Sequence, residues 1–200
     1  MQGGRTRRVS YNVNSTRNVK GARRVGGSVL ETAVIIDSTV EPVLPLCRAV
    51  GRIPSGLFVL TTGSGPTATA MLVSFVQQLS REPICIGVAL HRNRDVSEVI
   101  ERTGGFALNI CHAGDKNLLR KYARQSLKGD AAFEGMRTQR LAGGGTILLD
   151  ACAWIWCNLH QRIDIKTDHE LIIGIATEGG LSDDDKARPV VHIRHDGSNY

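Results

Sequence analysis

No apolar run in this 200-residue chain approaches the length of a membrane-spanning helix, about 20 residues. A transmembrane helix is therefore not expected. The cysteines, Cys47, Cys85, Cys111, Cys152 and Cys157, are odd in number and include no CxxC pair. That usage argues against a disulfide framework and for reduced thiols in an intracellular compartment, with Cys85 and Cys111 acting as small hydrophobes inside apolar runs. Nothing recurs with a period of about 20 to 50 residues, which excludes a repeat array. His169, His192, His195 and Asp196 fall near the C-terminus. A three-residue spacing on a strand puts His192 and His195 on opposite faces, so no metal site is expected.

Acidic residues are also missing from one region. None occurs in residues 1–30, which carry Arg5, Arg7, Arg8, Arg17, Lys20, Arg23 and Arg24. The other 170 residues hold 18 Lys+Arg against 19 Asp+Glu, so the net charge of +6 belongs to the leader and the body is neutral. A neutral body does not offer the basic surface that displaces phosphate counterions, which argues against nucleic acid as a partner. Residues 1–40 read as a disordered basic leader. Their Arg- and Ser-bearing composition suits an organelle transit peptide, an inert arm or a nucleic-acid-binding arm, and the absence of an apolar segment excludes a secretory signal. A chloroplast or other organelle follows from the first reading, the cytoplasm otherwise. A folded domain is expected over residues 41–200.

What is present in that body is rich in strand signals. "GLFVLTT" (56–62), ended by the "GSGP" turn, reads as a strand, as do Met71 to Phe75 and Ile84 to Leu90. The polar segment between the last two, Gln77 to Pro83, reads as a long connection rather than a tight hairpin. Asp95 to Arg102 has capping-box spacing (Asp95, Glu98) and an apolar face of Val96, Val99 and Ile100; "TGG" stops it. "FALNI" (106–110) is a strand, and Asp115 to Arg124 a second amphipathic helix with Leu118, Leu119 and Tyr122 inward. A loop runs to about Thr146. In "CAWIWCNLHQRIDI", Ala153, Ile155, Cys157, Leu159, Ile163 and Ile165 share one face and Cys152, Trp154 and Trp156 the other. "TDH" (167–169) turns into "ELIIGIAT", and "PVVHIR" closes the sheet. Six or seven strands with a few short helices predict a mainly β chain, an antiparallel split β-barrel of Greek-key type.

"GRIPSGLFVLTT", "SFVQQLSREP", "GGFALNI", "TDHELIIG" and "HIRHDGSNY" occur in an order and spacing that resembles the flavin reductase-like, FMN-binding split-barrel family. The chain is most similar to the flavin reductase module at the C-terminus of cyanobacterial and plastid diflavin flavodiiron proteins, over about residues 48–200. The resemblance implies an NAD(P)H:flavin oxidoreductase that passes hydride from NAD(P)H to bound or free flavin. The alternative is a non-catalytic FMN-binding module for electron transfer or interaction. Bound FMN carries such chemistry while the protein supplies position and electrostatics, which explains why no catalytic triad or carboxylate pair stands out.

The same resemblance implies a cofactor site of Val73, Ser74, Phe75, Gln78, Ser80, Arg94, Asn109, His192 and Arg194. Ser74, Gln78 and Ser80 would donate to phosphate, ribityl chain or ring edge, whereas as an ordinary loop they would only satisfy turn carbonyls. Val73 and Phe75 would wall the ring, and Arg94 would pair with the phosphate. Asn109, an amide within an apolar strand, must find hydrogen-bond partners, and the flavin is one. Lys121 is a weaker candidate. His169 stands in a turn that the family places at the flavin and links to nicotinamide or flavin handling. The family's homodimers place the flavin at the subunit junction; Trp154 and Trp156 fit either that interface or ordinary core.

Overall fold

The structure, a computed structural model, describes residues 43–114, 116–123, 126–182, 187–195 and 197. Residues 43–200 form one compact unit; the leader lies outside the described residues. The unit opens with helix α1 (Val43–Gly51) and strands β1 (Ser55–Gly56), β2 (Phe58–Thr62), β3 (Thr69–Val73), β4 (Val76–Arg81) and β5 (Ile84–His91). Helix α2 (Val96–Thr103), β6 (Gly105–Ile110), helix α3 (Lys116–Tyr122), β7 (Leu127–Lys128), β8 (Thr138–Arg140) and β9 (Thr146–Leu148) follow. The chain ends with the long β10 (Ala153–Ile163) and β11 (His169–Leu181), then β12 (Val191–His192).

Eight strands form one sheet in the order β4-β5-β11-β10-β6-β2-β3-β7, with every pairing antiparallel. In a flat sheet β3 and β5 would stand five spacings apart, roughly 24 Å. Yet Met71 and Val73 of β3 share one buried cluster with Ile86, Val88 and Leu90 of β5, together with Leu60, Phe106, Leu108, Cys157 and Ile172. The sheet must therefore curl around that cluster. Chain connectivity requires the same: β3, next to the β7 edge, passes to β4, the edge strand at the opposite end of the sheet, through only Ser74 and Phe75. The barrel is split there, and those two residues bridge the split.

Period-two patterning explains which side chains fill the interior. On β5, Ile86, Val88 and Leu90 point inward. On β10, Ile155, Cys157 and Leu159 face the same core, while Trp156, buried, and Trp154, half-buried, pack in a separate small cluster with Ala107, Leu141 and Ile147. Trp156 is thus core. Burial pushes the Cys157 thiol up to about 12, and all five cysteines are free.

Three local expectations change. The polar connection after Phe75 is itself strand β4, paired with β5 from Val76↔Val88 to Arg81↔Ile84. It is an edge strand, so its polar side chains face solvent, and polarity alone made it read as a loop. Helix α2 has the expected buried face of Val96, Val99 and Ile100 and stops at Gly104, whose φ of 78° a glycine adopts without strain. The capping box does not form, because the Asp95 carboxylate is taken by Lys128 of β7. Lastly, "PVVHIR" contributes only the short β12, which pairs with β1 outside the main sheet.

Candidate active site

A cleft of about 590 Å³ lies beside the split. Its floor is the outer face of the sheet, with Gly87, under the Leu79 side chain, and Ala89 on β5, and Leu171 opposite Ala89 on β11. The segment Ile53–Gly56 and Pro189–Val191 form its walls, and Ser74, Phe75 and Leu79 complete it. Alternation along β5 produces this surface, since the residues between the inward Ile86, Val88 and Leu90 must point out.

Next to the cleft the fold gathers an aromatic and cationic cluster. The Phe75 and His169 rings are 5.6 Å apart, and His91, opposite His169 in the β5–β11 register, lies 5.3 Å from it edge-on. The Arg194 guanidinium stands 4.9 Å from the Phe75 ring centroid. The turn presenting His169 is pinned by Arg92, which donates through Nε to the Thr167 carbonyl at 2.6 Å and through its backbone N–H to the Asp168 carbonyl at 2.9 Å, and pairs with Asp164. A hydrogen bond from His169 holds the Asp168 carboxyl below its usual value. An ionised partner 2.9 Å from Nδ1 requires the proton on Nδ1, which leaves Nε2 as the ring nitrogen available to a ligand.

Two donors here have no protein partner among the described residues: the buried Nε of Arg194, a residue only 9 % exposed, and the buried Oγ of Ser55 in the cleft wall. Buried donors without acceptors are rare and costly, so both point to a group that the protein does not itself supply.

The structure brings together Ser74, Phe75, His169 and Arg194 from the candidates read in the sequence. His192, half-buried, adjoins them through its pairing with Ser55 in the wall. Others lie elsewhere. Val73 is part of the barrel core. Gln78 and Ser80 are occupied at the hairpin tip, where Gln78 Nε2 donates to the Ser80 carbonyl at 3.1 Å and Ser80 Oγ to the Pro83 carbonyl at 2.6 Å. Arg94 is exposed in the turn after β5. Asn109 is a correction: its amide donates to the Val59 carbonyl at 2.9 Å and the Thr61 Oγ at 3.3 Å and accepts from the Leu148 N–H at 2.7 Å, all inside the protein. Lys121 lines a separate groove of about 1330 Å³, where its Nζ donates to the Glu134 carbonyl at 2.6 Å and Arg137 pairs with Asp150 at 2.7 Å.

Sequence reading missed His91, Ser55 and the Gly87–Ala89 floor. The signal was the alternation in "ICIGVALH", which sets Gly87, Ala89 and His91 on one face.

Residues 50–198 match the model of the flavin reductase like domain. The chain belongs to the flavin reductase-like domain family. It is 30 % identical over 177 residues to diflavin flavoprotein A 1 of Synechocystis sp., covering 86 % of this chain. That match covers 29 % of the relative, so the chain spans under a third of its length. Among solved structures, nitrilotriacetate monooxygenase component B of Mycobacterium thermoresistibile superposes with a TM-score of 0.68 at 21 % identity, covering 76 % of this chain and 83 % of its own. The Streptomyces globisporus NADH:FAD oxidoreductase SgcE6, in complex with NAD and FAD fragments, gives 0.66 at 18 % identity, over 80 % and 92 %. These likenesses show the split-barrel fold, and family membership makes the chain a flavin reductase-like oxidoreductase domain.

Proposed function

We propose that the cleft beside the split binds FMN and that the domain is an NAD(P)H:flavin oxidoreductase. The observation that carries this reading is a small-residue floor with two buried donors that have no partner among the described residues, Ser55 Oγ in the cleft wall and Arg194 Nε behind the Phe75 wall. A flat, polar-edged ring fits such a place: Gly87 and Ala89 leave a slot, Phe75 supplies an aromatic wall, and the orphan donors meet acceptors on the ring edge. Flavin, when bound, supplies hydride acceptance from a reduced nicotinamide. The chain's residues bind and orient. Arg94, exposed beyond the end of β5, is the candidate for the phosphate. His169, set by Asp168, presents Nε2 beside Phe75 to the nicotinamide or the ring.

The apolar rim residues Ile53, Leu79, Val191 and Ile193 are exposed, which supports a homodimer in which a second copy covers the cleft. Light scattering on the purified chain tests that. The leader is proposed as a transit peptide, with cytoplasmic residence as the other outcome of imaging a leader–reporter fusion.

A purified yellow protein whose visible flavin band bleaches with NADH or NADPH is the expected result, and the preferred nucleotide follows from the relative rates. A protein that binds no flavin overturns the reading. Flavin that binds without turnover selects the electron-transfer or interaction module, a reading favoured by the internal use of the Gln78 and Ser80 side chains.

A further inference from the structure

We propose that Arg194 is the fixed counter-charge for the flavin ring, favouring its reduced, electron-rich form; this rests on the cleft being the flavin site. Arg194 is nine-tenths buried, and its buried Nε meets no acceptor among the described residues. The contact that holds it is the face of Phe75, at 4.9 Å. Desolvating a guanidinium costs far more than one cation–π contact returns. Among the described residues no carboxylate pairs with it; Asp164 pairs with Arg92 and Lys166, and Asp168 with His169.

Among the described residues the charge has no counter-ion, which points to a group that they do not supply, and Phe75 locates it, being both the surface on which Arg194 rests and part of the cleft wall. Two parts of a flavin nucleotide can carry negative charge. A phosphate is strongly hydrated and suits an exposed cation such as Arg94. The ring's charge is spread over an apolar, planar body, which suits a buried guanidinium beside an aromatic wall. Because that charge appears on reduction, Arg194 stabilises one redox state over the other.

The test compares wild type, Arg194→Gln and Arg194→Lys, each loaded with FMN and with riboflavin. Dissociation constants of oxidised flavin are measured alongside the potential of bound flavin in a dye-equilibrated reductive titration. Arg194→Gln should lower the affinity for reduced relative to oxidised flavin about tenfold, a fall of about 30 mV for a two-electron couple. Arg194→Lys should restore part of it, and FMN and riboflavin should be affected alike. An unchanged potential with flavin still bound overturns the proposal alone. So does a loss confined to FMN, which would put the guanidinium on the phosphate. Failure of both variants to fold overturns it by assigning Arg194 to the fold. Absence of flavin binding in wild type overturns the functional reading as well.

Discussion

Asn109 and Gly87 separate what holds the protein together from what shapes its cleft. The Asn109 side chain is fully buried and links β2, β6 and β9 through three hydrogen bonds. Asn109→Ala leaves the Leu148 N–H and the Val59 carbonyl without that partner, at a cost of about 2–3 kcal/mol. The melting temperature should drop by roughly 5–10 °C for a domain of this size, with flavin affinity of the folded protein unchanged. A calorimetric scan beside a flavin titration checks both. Gly87 should behave in the opposite way. A Cβ there would lie 2.8 Å from Leu79 Cδ1, the free end of an exposed and flexible side chain, so the fold can yield while the slot narrows. Gly87→Val, β-branched and suited to a strand, should keep stability within about 1 kcal/mol. Flavin affinity should fall at least about tenfold, as one misplaced side chain in a binding slot does. The need of Asn109 for partners was legible in the sequence; their identity was not, because a backbone carbonyl and a ligand satisfy an amide equally well.

At the level of elements, alternation made β5, β6 and β10 readable and hid β4. An edge strand has one neighbour and a solvated face, so "VQQLSR" carries the composition of a loop. Only its pairing with β5 shows it as a strand, and a single sequence does not display pairing. The longest strands are also tied by charge. Arg162 of β10 donates to Glu170 of β11 through Nε at 2.6 Å and Nη2 at 3.2 Å, and through Nη1 to Glu101 of α2 at 2.9 Å. Burial pushes the Glu170 carboxyl up, but the Arg162 hydrogen bonds and charge outweigh it and hold it below its usual 4.5. The group is thus easier to protonate in the unfolded chain. Its contribution is complete above pH 4.5 and fades as the pH falls from there through the lower folded value. Acid titration followed by denaturant melts should show this slope in wild type. Glu170→Gln should flatten it and cost about 1–3 kcal/mol at neutral pH, less than for a fully buried pair because Arg162 is one-third exposed and keeps Glu101.

For the whole molecule, strand periodicity and motif order made the barrel legible, whereas the position of the split depended on a length constraint. Two residues between β4, at one edge, and β3, next to the other, force the two ends of the sheet together, and that makes Ser74 and Phe75 a bridge and sets the cleft beside them. Among the described residues every core cluster lies within residues 57–190, and the family match spans 50–198. Residues 1–30 carry seven of the cations and no acid, and residues 43–200 hold 18 Lys+Arg against 16 Asp+Glu, a net of +2. Removing residues 1–42 should therefore leave the melting temperature within about 2 °C, a change of under about 1 kcal/mol, and flavin affinity within twofold, about 0.4 kcal/mol. Any salt-sensitive binding of the full chain to RNA or DNA should vanish with the same deletion, since residues 43–200 keep too small a surplus of cations to displace many counterions. Parallel flavin and nucleic-acid titrations on the two chain lengths decide it. Loss of flavin binding on truncation would mean that the leader completes the cleft, and retained nucleic-acid binding would mean that the body carries a basic surface its net charge conceals.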